Sequence, residues 1–428
     1  MRKINKAVNI LKNQGPATLA KKAGSYSRRK IKSILKPPPM IEANKELNEE
    51  YSFVSNRLFQ ISSLDIEKSR KSIYKKPLGS IKTANWFVPN FDHLAFGGIY
   101  TIFRFIEKFS KEGVENRIII YDNPAIDVAS LKDEIDINFP GLKKYKIIVF
   151  DHGKDSLESL PECDIAMATF WVSAYILLKF NKTKKKYYFI QDYEPYFYVA
   201  GSTFALAEST YRFGFRGLVN TPGLLAAVNS RHSMEGISFI PAVDQNLYTP
   251  DFSKNNERVK IFFYARPNNP RNAFSLGVLT IEKLIEKYGN KIEIITAGSK
   301  WDEKQYRLDN KVKNLGLLPS LKDVADLYRG CDIGFVFMLS KHPSYQPFEF
   351  MASGMATVTN NNEDNLWLLR NGENCLLSEP SPAAMAEQIG RLVDDGVLRQ
   401  KIAKKGYETL GYTWEQQTQT IWNDIIAN

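Results

Sequence analysis

The chain has 428 residues, 43% of them hydrophobic and 25% charged, enough to bury more than one core, and about two to three domains are expected. Its net charge of +11 sits at one end: residues 1–36 hold eleven Lys and Arg and no Asp or Glu, leaving 47 basic against 47 acidic residues elsewhere. A disordered chain, a spanning segment of roughly 18 or more apolar residues, a disulfide framework and a cysteine-built zinc site are excluded; the three cysteines, Cys163, Cys331 and Cys375, are scattered and suit a reducing cytoplasm.

The basic arm, residues 1–39, spaces Ile4, Val8 and Leu11 at helical intervals among lysines, the pattern of an amphipathic segment on an anionic membrane surface. A solvated tail, or a helix packed on the body, has the same composition. No aromatic interleaving or nucleic-acid motif accompanies the charge, so nucleic acid is not an expected partner. The charges within its only apolar stretch, and the lack of a small-residue cleavage site, argue against a secretory signal. Pro37 to Pro39 end the arm.

Residues 40–243 read as a first Rossmann-like domain. Residues 40–80 are polar and partly helical; near-continuous apolar runs follow at 84–90, 116–122, 145–151, 164–171, 187–192, 226–230 and 236–243. Such runs separated by helical spacings fit a parallel sheet covered on both faces. Pro241 to Glu257 reads as a linker. Residues 258–410 repeat the pattern, with runs at 259–266, 292–299, 314–319, 332–339, 356–360 and 374–379. Ser320 with Asp323, Ser381 with Pro382, and Thr413 with Gln416 read as helix starts. The last helix, within 411–428, is free to cross back to the first domain.

Ligands of such α/β units gather where strands end and helices begin. His93 and the glycine turn Gly97–Gly98 follow the first strand; the glycines let backbone approach an anionic ligand or the partner domain closely. In IQDYEPYFY (190–198), Asp192 and Glu194 stand among Tyr193, Tyr196 and other aromatics, a composition suited to a sugar or to a core cluster with one capping carboxylate. In the second half, Arg266 ends a strand and Arg271 follows across PNNP, two cations able to grip a diphosphate. Gly298 and the Leu317–Leu318 turn can admit a nucleotide. KHPSYQPFEFMASG (341–354) places Tyr345 and Gln346 in a loop and Glu349 among apolar residues, where a carboxylate needs hydroxyl partners. No paired acidic motif or histidine spacing suggests a metal, and no Walker lysine, nucleophile elbow or dinucleotide fingerprint is present.

Together Arg266, Arg271, Glu349 and MASG (351–354) resemble the C-terminal half of a two-Rossmann-domain (GT-B) glycosyltransferase of the large retaining family 4 type, and YTWEQQ resembles the start of that family's crossover helix. HPSYQPFE, and QDYEPYFY followed by ALAESTYR, look more narrowly like bacterial rhamnosyltransferases that build S-layer and other surface glycans from dTDP-L-rhamnose. Arg271 replaces the family's usual Lys with charge kept. The broader family often has a second Glu where this chain has Lys341, which fits a donor of other than glucose type.

The resemblance implies metal- and cofactor-independent, retaining transfer of L-rhamnose to a lipid-linked glycan in the cytoplasm. It gives Arg266 and Arg271, with the Gly97–Gly98 amides, the leaving diphosphate. Glu349 takes ribose or sugar hydroxyls, and Gly298, Leu317, Leu318, Tyr345 and Gln346 line the donor side. Asp192 faces the reacting sugar or the acceptor, and His93, Tyr193, Glu194 and Tyr196 lie on the acceptor side. Transfer from another nucleotide sugar, and a catalytically silent nucleotide-sugar or glycan binder, remain open alternatives.

Overall fold

A computed structural model describes residues 40–73, 76–91, Leu94, 97–341 and 344–428. The basic arm and His93 lie outside the described residues. One compact unit ends at Arg57, a boundary absent from the sequence reading, and its described part, residues 40–57, holds the helix α1 (Met40–Val54). Residues 58–428 form the second unit, which holds both sheets.

The first sheet contains β1 (Thr83–Val88), β2 (Glu115–Ile120), β3 (Tyr145–Val149), β4 (Cys163–Ala168), β5 (Thr183–Ile190), β6 (Arg216–Asn220) and β7 (Gly236–Phe239). Its strand order is 3-2-1-4-5-6-7, and every pairing is parallel. The helices are α2 (Ser63–Ser72), α3 (Gly97–Lys111), α4 (Val128–Asn138), α5 (Trp171–Lys179), α6 (Ser202–Ser209) and α7 (Pro222–His232). Two buried cores form, one holding Trp86, Phe103, Phe105 and Phe109, the other Trp171, Tyr175, Tyr188 and Tyr211. Covering both faces explains why the strands read as continuous rather than alternating apolar runs.

The second sheet contains β8 (Val259–Ala265), β9 (Ile292–Gly298), β10 (Val312–Asn314), β11 (Ile333–Val336), β12 (Ala356–Asn360) and β13 (Leu376–Ser378), ordered 10-9-8-11-12-13 and parallel throughout. Its helices are α8 (Phe274–Tyr288), α9 (Leu321–Gly330), α10 (Gln346–Ala352), α11 (Pro382–Asp394) and α12 (Gly396–Thr409). The final helix α13 (Trp414–Ala427) packs on α3 and β7, with Trp422 edge-on to Phe109 and an Arg216–Asp424 ion pair holding it. The expected two-domain α/β architecture is therefore present.

Two expected strands are corrected. Residues 226–230 lie inside α7, because the Thr221 side chain accepts from Leu224 N–H and Pro222 pre-sets the first turn, so Ala226 and Ala227 propagate a helix. The strand at that place is β6, whose run RGLVN is too short and too interrupted to stand out and is made a strand by pairing with β5 and β7. Of residues 314–319 only Asn314 is in a strand; Gly316 turns at φ 64° and Pro319 cannot donate to a ladder.

β5 also begins earlier than the apolar run suggested, at Thr183, and draws the lysines 184–186 into the sheet. Lys186 is buried, its ammonium donating to Ser69 Oγ at 2.9 Å and Leu178 O at 3.1 Å. Burial pulls its pKa down to about 7.

Candidate active site

The carboxyl ends of both sheets open onto one cavity of about 620 Å³. Its walls include Gly97, Gly98, Asp192 and Glu194 from the first half, and Arg266, Arg271, Gly298, Leu317, Leu318, Tyr345, Gln346 and Glu349 from the second. Tyr193 and Tyr196 do not line it.

In the second half, strand geometry sets the cations. Arg266 directly follows β8, with its guanidinium carbon 6.0 Å from the Tyr264 ring centre. Beside it, β9 ends at Gly298 with φ 128°, where an added Cβ would lie 2.7 Å from Ala265 O, so only glycine permits that approach. Arg271 lies in a 3₁₀ turn before α8, its guanidinium carbon 4.1 Å over the Phe197 ring. It is ion-paired with Asp192, which also accepts from Ser340 Oγ and, at 2.8 Å, from Tyr193 N–H. Asp192 thus joins the two walls.

Glu349 sits in α10. Burial pushes its carboxyl up to about 7, and hydrogen bonds from the Tyr248 and Tyr328 phenols partly offset that rise. Neither tyrosine carries a motif in the sequence; the linker brings one and α9 the other. Tyr345 reaches across to the first half, its hydroxyl 2.6 Å from Thr101 Oγ1 and 3.3 Å from Asn220 Nδ2. A Cβ on Gly97 would lie 3.4 Å from the Tyr345 ring, an ordinary van der Waals contact, so the space there does not itself require glycine. Gln191 Nε2 donates to Gly98 O at 2.9 Å, setting a further polar side chain on the wall that the sequence did not mark.

Of the acceptor-side expectations, Tyr193 and Tyr196 need correction, while Glu194 is on the cavity wall but nearly buried. Tyr193 is fully buried between Tyr211 and His232, its hydroxyl 3.1 Å from Glu208 Oε1 and 2.9 Å from His232 Nε2. Tyr196 is part-exposed outside the cavity, edge-on to Tyr193. Glu194 is 3% exposed: its Oε2 accepts from Trp171 N–H at 2.6 Å and Tyr188 OH at 2.7 Å. Burial raises its pKa to about 8, and the charge of Asp192 adds to that rise. Strand alternation and the following 3₁₀ turn (Glu194–Phe197) send Tyr193 and Glu194 inward, which composition alone does not reveal. Lys341 pairs with Asp364 and is off the cavity wall. Among the described residues no cluster of His, Cys, Asp or Glu could hold a metal ion, and no helix is long and apolar enough to cross a membrane.

Residues 84–218 match the family model described as WsaF, N-terminal domain, and residues 259–390 match that of the WsaF C-terminal domain, together more than half of the chain. The O-antigen biosynthesis protein RfbC of Myxococcus xanthus is 40% identical over 350 residues, covering 81% of this chain and 27% of that protein. The chain thus spans about a quarter of the length of this curated relative. Among solved structures, TarM aligns with a TM-score of 0.64 at 11% identity, covering 82% of this chain and 99% of that one. Sucrose-phosphate synthase of Thermosynechococcus elongatus aligns at 0.62 and 13%, covering 80% and 98%. Anabaena Alr3699/HepE, solved with UDP and glucose, aligns at 0.62 and 14%, covering 82% and 100%. At these identities the likeness carries the GT-B fold.

Proposed function

The chain belongs to the WsaF family, and we propose that it is a glycosyltransferase that transfers L-rhamnose from dTDP-L-rhamnose to a hydroxyl of a growing, lipid-linked bacterial surface glycan, with retention of configuration. The observation that carries this reading is the opening of Arg266, Arg271 and Glu349 onto one cavity, with Asp192 on the facing wall.

Two guanidinium groups are suited to the charge that develops on a leaving diphosphate, which they grip bidentately without a metal. Glu349 takes ribose or donor-sugar hydroxyls as partners; its ionised form, which accepts two hydrogen bonds, gains population as pH rises through about 7. Leu317 and Leu318 flank the base, and Asp192 receives the acceptor hydroxyl. The leaving phosphate takes the acceptor proton, so no protein base is assigned. The basic segment 1–36 holds the enzyme at the cytoplasmic face of an anionic membrane. Deleting that segment should abolish sedimentation with anionic liposomes.

The test of transfer is incubation with dTDP-L-rhamnose, UDP-glucose and other nucleotide sugars and a rhamnosylated acceptor, with products read by mass spectrometry. A deoxyhexose added from dTDP-L-rhamnose alone is expected. Product from a different donor only would replace the sugar assignment; nucleotide binding without product from any donor would replace transfer by binding.

A further inference from the structure

Two of the arginines on the cavity wall, Arg266 and Arg271, differ in the donor-free protein. Arg266 has no carboxylate partner among the described residues, whereas Arg271 is ion-paired with Asp192. The two oxygens of Asp192 are held unequally. Oδ1 accepts from a backbone amide, Tyr193 N–H, and from the Ser340 hydroxyl; Oδ2 accepts from the Arg271 guanidinium, at the end of a long side chain one-third exposed (34%). Phe197 lies under that guanidinium and supports it whichever anion it faces.

We propose that Asp192 stands in for the donor's diphosphate in the free enzyme: Arg271 exchanges the Asp192 carboxylate for the arriving diphosphate, and Oδ2 becomes open to an acceptor hydroxyl only after that exchange. The inference rests on the reading of Arg271 as a diphosphate ligand. A diphosphate carries more charge than a carboxylate and matches the guanidinium fork as well, so the exchange runs toward the substrate. Asp192 stays aimed through it, because the two bonds to Oδ1 do not involve Arg271.

Inorganic pyrophosphate, which has neither base nor sugar, is the probe, titrated into the full-length chain by calorimetry. Removing the competing charge raises the fraction of protein whose Arg271 is available, so Asp192→Asn should bind pyrophosphate about fivefold more tightly than the natural chain. The gain should vanish on an Arg271→Ala background, as a directly coupled pair requires. Asp192→Ala, with folding checked by thermal melting, gives the same readout should Asp192→Asn not fold. Unchanged or weaker binding in the Asp192 variants overturns the exchange, as does a gain that persists without Arg271, which would mark diffuse repulsion. If Arg271→Ala alone leaves affinity unaltered, the diphosphate role of Arg271 falls together with the exchange. If it weakens binding while the Asp192 variants match the natural chain, the exchange falls alone.

Discussion

Both sheets present charged side chains just beyond their strand ends, and the two sets have different fates. In the second half, Arg266 opens onto the cavity beside the Tyr264 ring, and Glu349, in α10, opens onto it while accepting hydrogen bonds from Tyr248 and Tyr328. In the first half, two carboxylates two residues apart diverge: Asp192 reaches across to Arg271 and Ser340, while Glu194 turns inward onto Trp171 and Tyr188. Arg266 has no carboxylate partner among the described residues, so its charge is left to be completed from outside. Glu194, which accepts two hydrogen bonds within its own domain, is 3% exposed even though it contributes to the cavity wall.

That contrast can be broken most forcefully at Glu194. Glu194→Ala strands the Trp171 amide and the Tyr188 hydroxyl and should cost about 2–4 kcal/mol of unfolding free energy in urea titrations. Its carboxyl rises from an ordinary 4.5 to about 8 on folding, so the folded state binds the proton more tightly. The resulting contribution to stability is complete below about pH 4.5 and is lost as pH rises toward 8. Glu194→Gln should flatten that part of the stability profile; a profile identical to that of the natural chain would show that Glu194 is not held as described.

Arg266→Ala should leave the fold intact and weaken nucleoside diphosphate binding by at least about tenfold, since a charged hydrogen bond contributes about 1.5–3 kcal/mol. Unaltered affinity in calorimetry would discard its diphosphate role. Tyr345→Phe removes the phenol that joins Thr101 and Asn220 and should cost about 1 kcal/mol, read as a lower melting temperature. Tyr196→Phe, outside the cavity, should change stability by no more than about 0.5 kcal/mol. A large effect there would return this residue to the working surface.

The sequence was most legible where local chemistry decides structure. The caps at Ser320, Ser381 and Thr413 follow from side chains that satisfy free helix N–H groups a few residues away. Parallel strands were legible because burial on both faces requires unbroken apolar runs. In the site, the second-half residues stood out because Arg266, Arg271 and Glu349 are charges in otherwise apolar or turn-forming company.

What stayed hidden depends on contacts distant in sequence. β6 becomes a strand through its neighbours, Lys186 is drawn inside by Ser69 and Leu178, and Tyr345 meets Gly97 and Thr101 roughly 250 residues away. Tyr193 and Glu194 carry the composition of a sugar site, yet the direction of their side chains is set by the 3₁₀ turn and by Tyr188, Tyr211 and His232.

The most direct measurement is a crystal structure of the full-length chain soaked with dTDP. The diphosphate should lie within hydrogen-bonding distance of both Arg266 and Arg271, with the ribose against Glu349. A nucleotide bound elsewhere, or a diphosphate touching neither arginine, would contradict the assignment of this cavity as the donor site.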